Sequence, residues 1–411
     1  MFRKTLLSVF MISLVTLLLS IAVSCSGNSD NNDSSVASES DIEVVSPVDV
    51  SLSDTQLELG IDTFRDLSVS GGENFSWSST DAKVASVDNS GRVIGVGRGE
   101  CDIIVENEFG NTAGCHLTVK KTAFITIDDG PLAYCGSILY ALKKENVKAT
   151  FFVIHNKNTA SLKRIHDEGH LIAMHTYTHS FSDCYRSQYS YYAGLDEMRK
   201  YLKEQVGVTT NIIRFPGGTS NTVMDSLYMR RMVSGLDDLG YRDFDWTVSS
   251  GDASKTPLTS NQVANNIIGY CYRDVEIILI HDKATTSKAL GKAIPALRRS
   301  GYIFDTLDHY IVHSNRSMTH YEKVHGTDSI PCAEVISDKL NYQLSVNSSI
   351  KISATMNPPE TTDYLRFCSD NPSIATVTLE GVVKGIRPGQ TKIRAIASSG
   401  KEAEFCFDIV S

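Results

Sequence analysis

An α/β barrel of seven βα units, set between two small all-β units, is the fold the sequence predicts. Three observations predict it. A patterned segment occurs twice, once on each side of the middle of the chain. The middle alternates short β-branched apolar runs with amphipathic stretches, the mark of a parallel sheet with crossover helices. Polar residues able to bind metal follow several of those apolar runs, where the active face of a barrel would lie.

The repeat sets the boundaries. Trp77 to Val87 (WSSTDAKVASV), followed by Gly91, Gly95 and Gly99, returns without a gap as Phe367 to Val377 (FCSDNPSIATV), followed by Gly381, Gly385 and Gly389. Short alternating segments separated by glycines that can take positive φ in tight turns make each copy a small all-β unit. The boundaries that follow are 42–120 for the first unit, 121–325 for the middle domain and 331–411 for the second unit.

Within the middle, seven runs qualify as strands: Ala123–Ile127, Ala149–Ile154, His170–His175, Asn211–Phe215, Tyr241–Trp246, Glu276–Ile280 and Tyr302–Asp305. Ala160–Glu168, Leu195–Val206 and Lys288–Arg299 carry apolar residues at three- and four-residue spacing, as amphipathic helices require.

The start of the chain fixes a compartment. Arg3 and Lys4 precede an apolar run from Leu6 to Val23 that ends at Ser24-Cys25, which makes residues 1–24 a signal peptide. Small residues before Cys25 resemble the lipobox of bacterial lipoproteins, in which that cysteine carries the lipid; an uncleaved membrane helix is the competing reading. Residues 25–41 are Ser, Asn and Asp with few apolar side chains, a flexible linker that can reach about 50 Å when extended. The expected location is therefore extracytoplasmic, lipid-anchored to the membrane or secreted. The net charge of −9 is spread thinly, with no basic stripe, which excludes nucleic acid as a partner. The eight cysteines besides Cys25 show no disulfide framework, although Cys101 and Cys115 flank a turn that could set them opposite one another on a hairpin.

Two clusters carry chemistry. Asp128-Asp129-Gly130-Pro131 puts adjacent carboxylates at a strand end. Two carboxylates so close raise each other's pKa, and a bound cation relieves the repulsion for the one it touches, leaving its neighbour to take a proton. The same tetrapeptide also suits a loop in which Asp caps a helix. In His175-Thr176-Tyr177-Thr178-His179 the two imidazoles can face one cation if the chain makes a helical turn, and two histidines with one aspartate leave coordination positions open. His309 and His313 have the same spacing, but with no accompanying carboxylate strand end they read as helix surface; His155, His166, His170, His320 and His325 receive the same non-ligand reading.

These residues carry two resemblances. The repeated units, with their VASVDNSGRVIGVGRGECDIIV and IATVTLEGVVKGIRPGQTKIRA, resemble bacterial immunoglobulin-like group 2 domains. Asp128-Asp129-Gly130-Pro131, His175 to His179, Arg214-Phe215-Pro216-Gly217-Gly218, Asp245-Trp246 and Leu279-Ile280-His281 resemble, in order, the five motifs of the polysaccharide deacetylases of carbohydrate esterase family four. The second resemblance implies a distorted (β/α)7 barrel and a metal-dependent deacetylase. It makes Asp129, His175 and His179 the ligands of a divalent metal, zinc with cobalt or nickel as alternatives. It makes Asp128 the general base and His281 the general acid, with Arg214 holding Asp128 ionised and Asp245 orienting His281 or raising its pKa. On the substrate side it places Pro216, the Gly217 N–H as oxyanion donor and Trp246 as a wall of the acetyl pocket.

Ile127 and Gly217 depart from the family pattern, which favours aromatic residues there. Gly217 keeps the backbone donor and opens one wall of the pocket, which shifts substrate preference; a glycine there resembles the peptidoglycan deacetylases, and that resemblance implies a wall polymer as substrate. The expected activity is removal of N-acetyl groups from a cell-surface amino-sugar polymer, peptidoglycan or a chitin-like oligomer, with release of acetate. An O-acetyl xylan esterase and an inactive surface or adhesive protein are the competing readings.

Overall fold

The computed structural model describes residues 49–312 and 329–411. The signal segment, Cys25 and the linker, with His313, His320 and His325, lie outside the described residues.

The two small β units share one strand plan. Phe75–Ser79, Ala85–Val87, Arg92–Gly95 and Gly99–Asn107 in the first correspond in sequence to Leu365–Ser369, Ala375–Val377, Val382–Gly385 and Gly389–Ala397 in the second. In each, the final long strand pairs antiparallel with its predecessor and parallel with an early strand, Gln56–Gly60 in the first unit and Asn341–Ser345 in the second. Gly91 and Gly381 show why the repeat keeps its glycines. Both have φ near +80° (83° and 80°), and a Cβ on either would sit 2.6 or 2.7 Å from the backbone oxygen of Leu67 or Ile352.

Cys101 and Cys115 do lie on one hairpin, but Cys101 pairs with Leu117 and Cys115 with Ile103. They are diagonal neighbours rather than opposite, and both are free thiols buried in the core of that unit.

The middle domain is a curled, mostly parallel sheet with helices outside it. Its order runs Arg242–Asp243, Ile212–Ile213, Leu171–Met174, Thr150–Val153, Thr112–Asp128, Val275–His281, Val248–Ser249, and Tyr302–Asp305 pairs with the lower part of Thr112–Asp128. The end strands do not pair with each other among the described ladders, so the expected barrel is present in distorted, open form. Val248–Ser249 is a strand beyond the seven expected. Residues Thr122 to Asp128 are all buried, as a strand covered on both faces must be. Phe124, Phe152, Ile212, Phe244 and Ile277 fill the inside of the curl, while a larger apolar cluster seals the sheet against the helices. The expected helices appear as Thr159–Asp167, Gln188–Val206 and Ala284–Arg299; Cys135–Lys144, Ser226–Asp238 and Ser260–Tyr270 were not anticipated.

The boundary between the first β unit and the barrel falls inside a single strand. Thr112–Asp128 is seventeen residues long. Its first half completes the β unit, and from Lys121 onward it is the centre of the barrel sheet. The junction is reinforced at the strand's side. Arg65 meets Asp305 at 2.9 Å, and the same carboxylate holds His309 Nδ1 at 2.7 Å while Phe64 packs edge-on against the His309 ring. His309 therefore sits in a turn after the last barrel strand and joins two units, rather than on a helix surface as expected.

The second β unit docks through Tyr364, which is completely buried in the barrel's outer core. The ring meets Tyr192 edge-on at 5.4 Å and lies so close to Gly235 that a Cβ there would be 2.6 Å from Tyr364 Cγ. The helices that receive it are well terminated: Gln188–Val206 begins with a capping box between Ser187 and Ser190 and ends at left-handed Gly207, and Asp225 caps Ser226–Asp238. Arg366–Asp238 at 3.1 Å and Arg231 Nε donating to Thr361 O at 2.9 Å surround the plug. Tyr364→Ala is expected to lower stability by about 3–5 kcal/mol, the usual cost of emptying a fully buried aromatic site, read as a shift in the urea midpoint. An unchanged midpoint would show that the docking contributes nothing to the fold.

Candidate active site and metal centre

The candidate site gathers at the carboxyl ends of the barrel strands. Asp128 is the last residue of the central strand, and in the ladder it stands beside His281, the last residue of Val275–His281. His175 follows Leu171–Met174, and Arg214 follows Ile212–Ile213.

Asp129, His175 and His179 form a triangle whose ligand atoms all lie within 4.8 Å of one another. Asp129 Oδ1 stands 3.2 Å from His179 Nε2 and 3.7 Å from His175 Nε2. The backbone here is not the helical turn that the spacing suggested. Asp129, Thr176 and His179 all take positive φ (68°, 65° and 56°), half of the non-glycine residues that do so in the described chain. Strained backbone concentrated at one point is a signature of a functional constraint. His175 is oriented from behind, its Nδ1 donating to Arg214 O at 2.8 Å, which turns Nε2 toward the carboxylates. Burial pushes the His175 pKa below that of a free imidazole, despite the nearby Asp128 and Asp129. A neutral imidazole is the form that donates to a metal.

The residues fit a divalent cation. Asp129 Oδ1 is buried and has no hydrogen-bond donor among the described residues, and a buried carboxylate oxygen left unpaired is costly unless a cation takes it. Two imidazoles and one carboxylate make a donor set suited to zinc, cobalt or nickel.

Asp128 is held by Arg214, which is entirely buried. Arg214 Nη1 donates to Asp128 Oδ1 at 2.8 Å and to Thr126 Oγ1 at 2.7 Å, Nε to Phe244 O at 2.7 Å, and Nη2 to Asp245 O at 3.1 Å. Its guanidinium also lies 4.1 Å from the centre of the Phe152 ring.

On the other flank, the structure corrects an expectation. Asp245 does not orient His281: its carboxylate accepts from Thr219 N at 2.9 Å and Thr219 Oγ1 at 2.5 Å, fixing the loop that contains Gly217 and Gly218. The partner of His281 is Asp252. His281 Nδ1 meets Asp252 Oδ1 at 2.8 Å, His281 N donates to Oδ2 at 2.7 Å, and Thr286 Oγ1 donates to Oδ2 at 2.9 Å. Burial alone would lower the His281 pKa, but the hydrogen bond and charge of Asp252, with Asp128 and Asp129 beyond, outweigh it and raise the pKa. Burial would likewise raise the Asp252 carboxyl, and the bonds from His281 and Thr286 hold it below the usual range. Asp282 was also missed. It accepts from Leu132 N at 2.5 Å and Tyr134 N at 2.8 Å, pinning the loop that follows Asp129.

Gly217 is exposed, with φ of 76°, and its N–H has no acceptor among the described residues. Pro216 O accepts from the buried Tyr185 hydroxyl at 2.7 Å. Trp246 is half-buried against the interior cluster, and a Cβ on Gly218 would lie 3.0 Å from its ring. A strand end with two carboxylates, a histidine pair, a buried arginine and a carboxylate-held histidine together make a site of the hydrolytic acyl-transfer class.

Comparisons with known proteins agree. The model for polysaccharide deacetylase matches residues 117–242, and that for bacterial Ig-like domain (group 2) matches residues 336–406. YheN of Bacillus subtilis, whose name places it among the polysaccharide deacetylases, is 30% identical over 251 residues, 58% of this chain and 86% of its own length. A peptidoglycan-N-acetylglucosamine deacetylase of Bacillus cereus is 32% identical over 194 residues, 45% of this chain and 69% of its own. Among solved structures, the catalytic domain of the peptidoglycan N-acetylglucosamine deacetylase from Eubacterium rectale is 35% identical, with a TM-score of 0.46 over 48% of this chain and 93% of that one. The chain belongs to the polysaccharide deacetylase family, and it carries a group 2 immunoglobulin-like domain behind the catalytic one.

Proposed function

We propose that the protein removes N-acetyl groups from N-acetylglucosamine units of peptidoglycan outside the cytoplasm, tethered there by a lipid on Cys25, with a divalent cation, zinc first, held by Asp129, His175 and His179. The observation that carries this reading is the placement of Asp128. It is fixed by Arg214, adjoins the cation triangle and stands beside His281 in the sheet. The Bacillus cereus relative's name supplies the polymer.

An amide is a poor electrophile with a poor leaving group, so both ends need help. A cation bound at the triangle supplies Lewis acidity toward the acetamide carbonyl and acidifies water. Asp128 takes the proton as water attacks the carbonyl carbon, and Arg214 keeps that carboxylate ionised and aimed. The Gly217 N–H donates to the oxygen that becomes negative. His281, with Nδ1 fixed by Asp252, delivers a proton from Nε2 to the sugar nitrogen as the C–N bond breaks, giving acetate and a free amine.

Acetate release from peptidoglycan, chitin oligomers and acetylated xylan, before and after chelation, tests the assignment. Chelator-sensitive release from peptidoglycan is expected; release from xylan alone would make the protein an esterase, and none from any polymer would make it a surface protein without activity.

Asp252→Asn provides a sharper test. The acid acts only when protonated, so turnover falls as pH rises through the His281 pKa, which Asp252 holds above the ordinary value of about 6.5. Removing the charge should move that fall to lower pH and reduce turnover near pH 8 by about 10²–10⁴-fold. The stabilisation from the raised His281 pKa is fully present below about pH 6.5 and is lost as pH climbs through the folded value. The variant should therefore lose stability mainly at the acid side of that window. A pH profile superimposable on the parent's would reject this role for Asp252.

A further inference from the structure

Phe181 is an aromatic side chain for which the mechanism has no use, yet it stands at the mouth of the site. It follows the cation loop by two residues, and its ring meets His179 edge-on at 5.7 Å. On its other side is Gly217. A Cβ built there would lie 3.3 Å from Phe181 Cε1 and Cζ, so the ring fills the space that a side chain from position 217 would enter. The ring is braced from below by Tyr185 at 5.7 Å, which is itself buried and anchored to Pro216 O. Its position is thus set by packing, while 36% of its surface remains open to solvent.

An ordered aromatic left exposed between a cation triangle and a candidate oxyanion donor is more than incidental surface. Large apolar side chains that are rigidly held and half-open are the usual anchors of a binding cleft. Pyranose rings present a face of C–H groups that packs on aromatic faces, and a polar polymer gains little else from a bare hydrocarbon surface. Leu132 and Tyr134, from the loop after Asp129, and Val223, from the loop after Arg214, are also exposed at this end of the sheet.

We propose that Phe181 is a specificity-determining residue that stacks on a sugar ring of the polymer, so that an extended chain binds more tightly than a single sugar. The inference rests on the deacetylase reading for its ligand, an N-acetylated amino-sugar oligomer. It makes Phe181 a contact for sugar rather than a holder of the cation loop, and the two roles separate experimentally.

The test measures binding of N-acetylglucosamine and its tetramer by calorimetry to the full chain carrying Asp128→Asn, alone and with Phe181→Ala or Phe181→Trp, with zinc affinity measured for each. The expected result is a tetramer Kd raised about tenfold, roughly the 1–1.5 kcal/mol of one aromatic contact, in Phe181→Ala and recovered in Phe181→Trp, with zinc affinity constant across the set. Equal tetramer binding with and without the ring, or no tetramer binding by any protein, overturns the proposal. So does a parallel loss of zinc affinity, which would make Phe181 a support for His179. Acetate release by the unmutated protein is scored separately, so the deacetylase reading can stand when this proposal falls.

Discussion

Asp129→Ala protein is expected to take up no divalent cation under conditions that fill the parent site, and to release acetate at least about a thousandfold more slowly, a loss of several kcal/mol of barrier lowering. The expectation follows from the geometry of one atom. Asp129 Oδ1 is buried, lacks a hydrogen-bond donor among the described residues, and faces His179 Nε2 at 3.2 Å. Without it, two imidazoles remain, too few to hold a cation against water. Because residue 129 has φ of 68°, alanine adds backbone strain, so Asp129→Asn belongs beside it: asparagine tolerates the left-handed region and keeps the shape while losing the charge. Elemental analysis and calorimetric titration read the first effect, and acetate assay the second. Full cation content with parental turnover in both variants would mean that the ion, if any, sits elsewhere.

Arg214→Ala is expected to produce the largest loss of stability of any single substitution in the barrel. The side chain is wholly buried and donates to Asp128, Thr126, Phe244 O and Asp245 O. Removing one member of a buried ion pair costs about 3–5 kcal/mol, and each orphaned acceptor adds about 1–3 kcal/mol. Against a total stability of about 5–15 kcal/mol, the variant should be largely unfolded or should unfold at far lower urea. Arg214→Lys restores the charge but not the planar fork, so it should recover only part of the loss. A parental unfolding curve for Arg214→Ala would show that the buried network is dispensable.

The residues legible in the sequence share a local signal. Asp128, His175, Arg214 and His281 each lie at or just after the end of a short strand, and a parallel strand delivers its last residue to the active face; pattern singled out Asp128 and His175, and the family resemblance added Arg214 and His281. His179 came with His175 by spacing, although the loop that joins them is left-handed rather than helical. Asp252 escaped because nothing around it looks like a strand: Val248–Ser249 is only two residues long, and the carboxylate follows in a turn. Asp245 received, through the family resemblance, the role that distance assigns to Asp252. The signal that could have found it was Ser250-Gly251-Asp252, a turn-forming stretch after a short apolar segment. The barrel's partners were hidden for a related reason. Tyr364 reads as one aromatic residue among the short strands of a β unit, and only the groove beside Gly235 makes it a core residue of another domain. The strand's neighbours change near residue 120, where the sequence boundary was drawn, while its conformation runs on unbroken.

That unbroken strand has a mechanical meaning. Modules joined by a linker swing independently and pass on little torque, whereas Thr112–Asp128 behaves as a beam, one end bonded into the first β unit and the other carrying the paired carboxylates. A load on that unit reaches the barrel as shear along ladder hydrogen bonds, not as rotation about a joint. The unit cannot be exchanged for another by cutting at the family boundary without replacing the axis of the catalytic sheet, and the direction in which the cleft faces is locked to it.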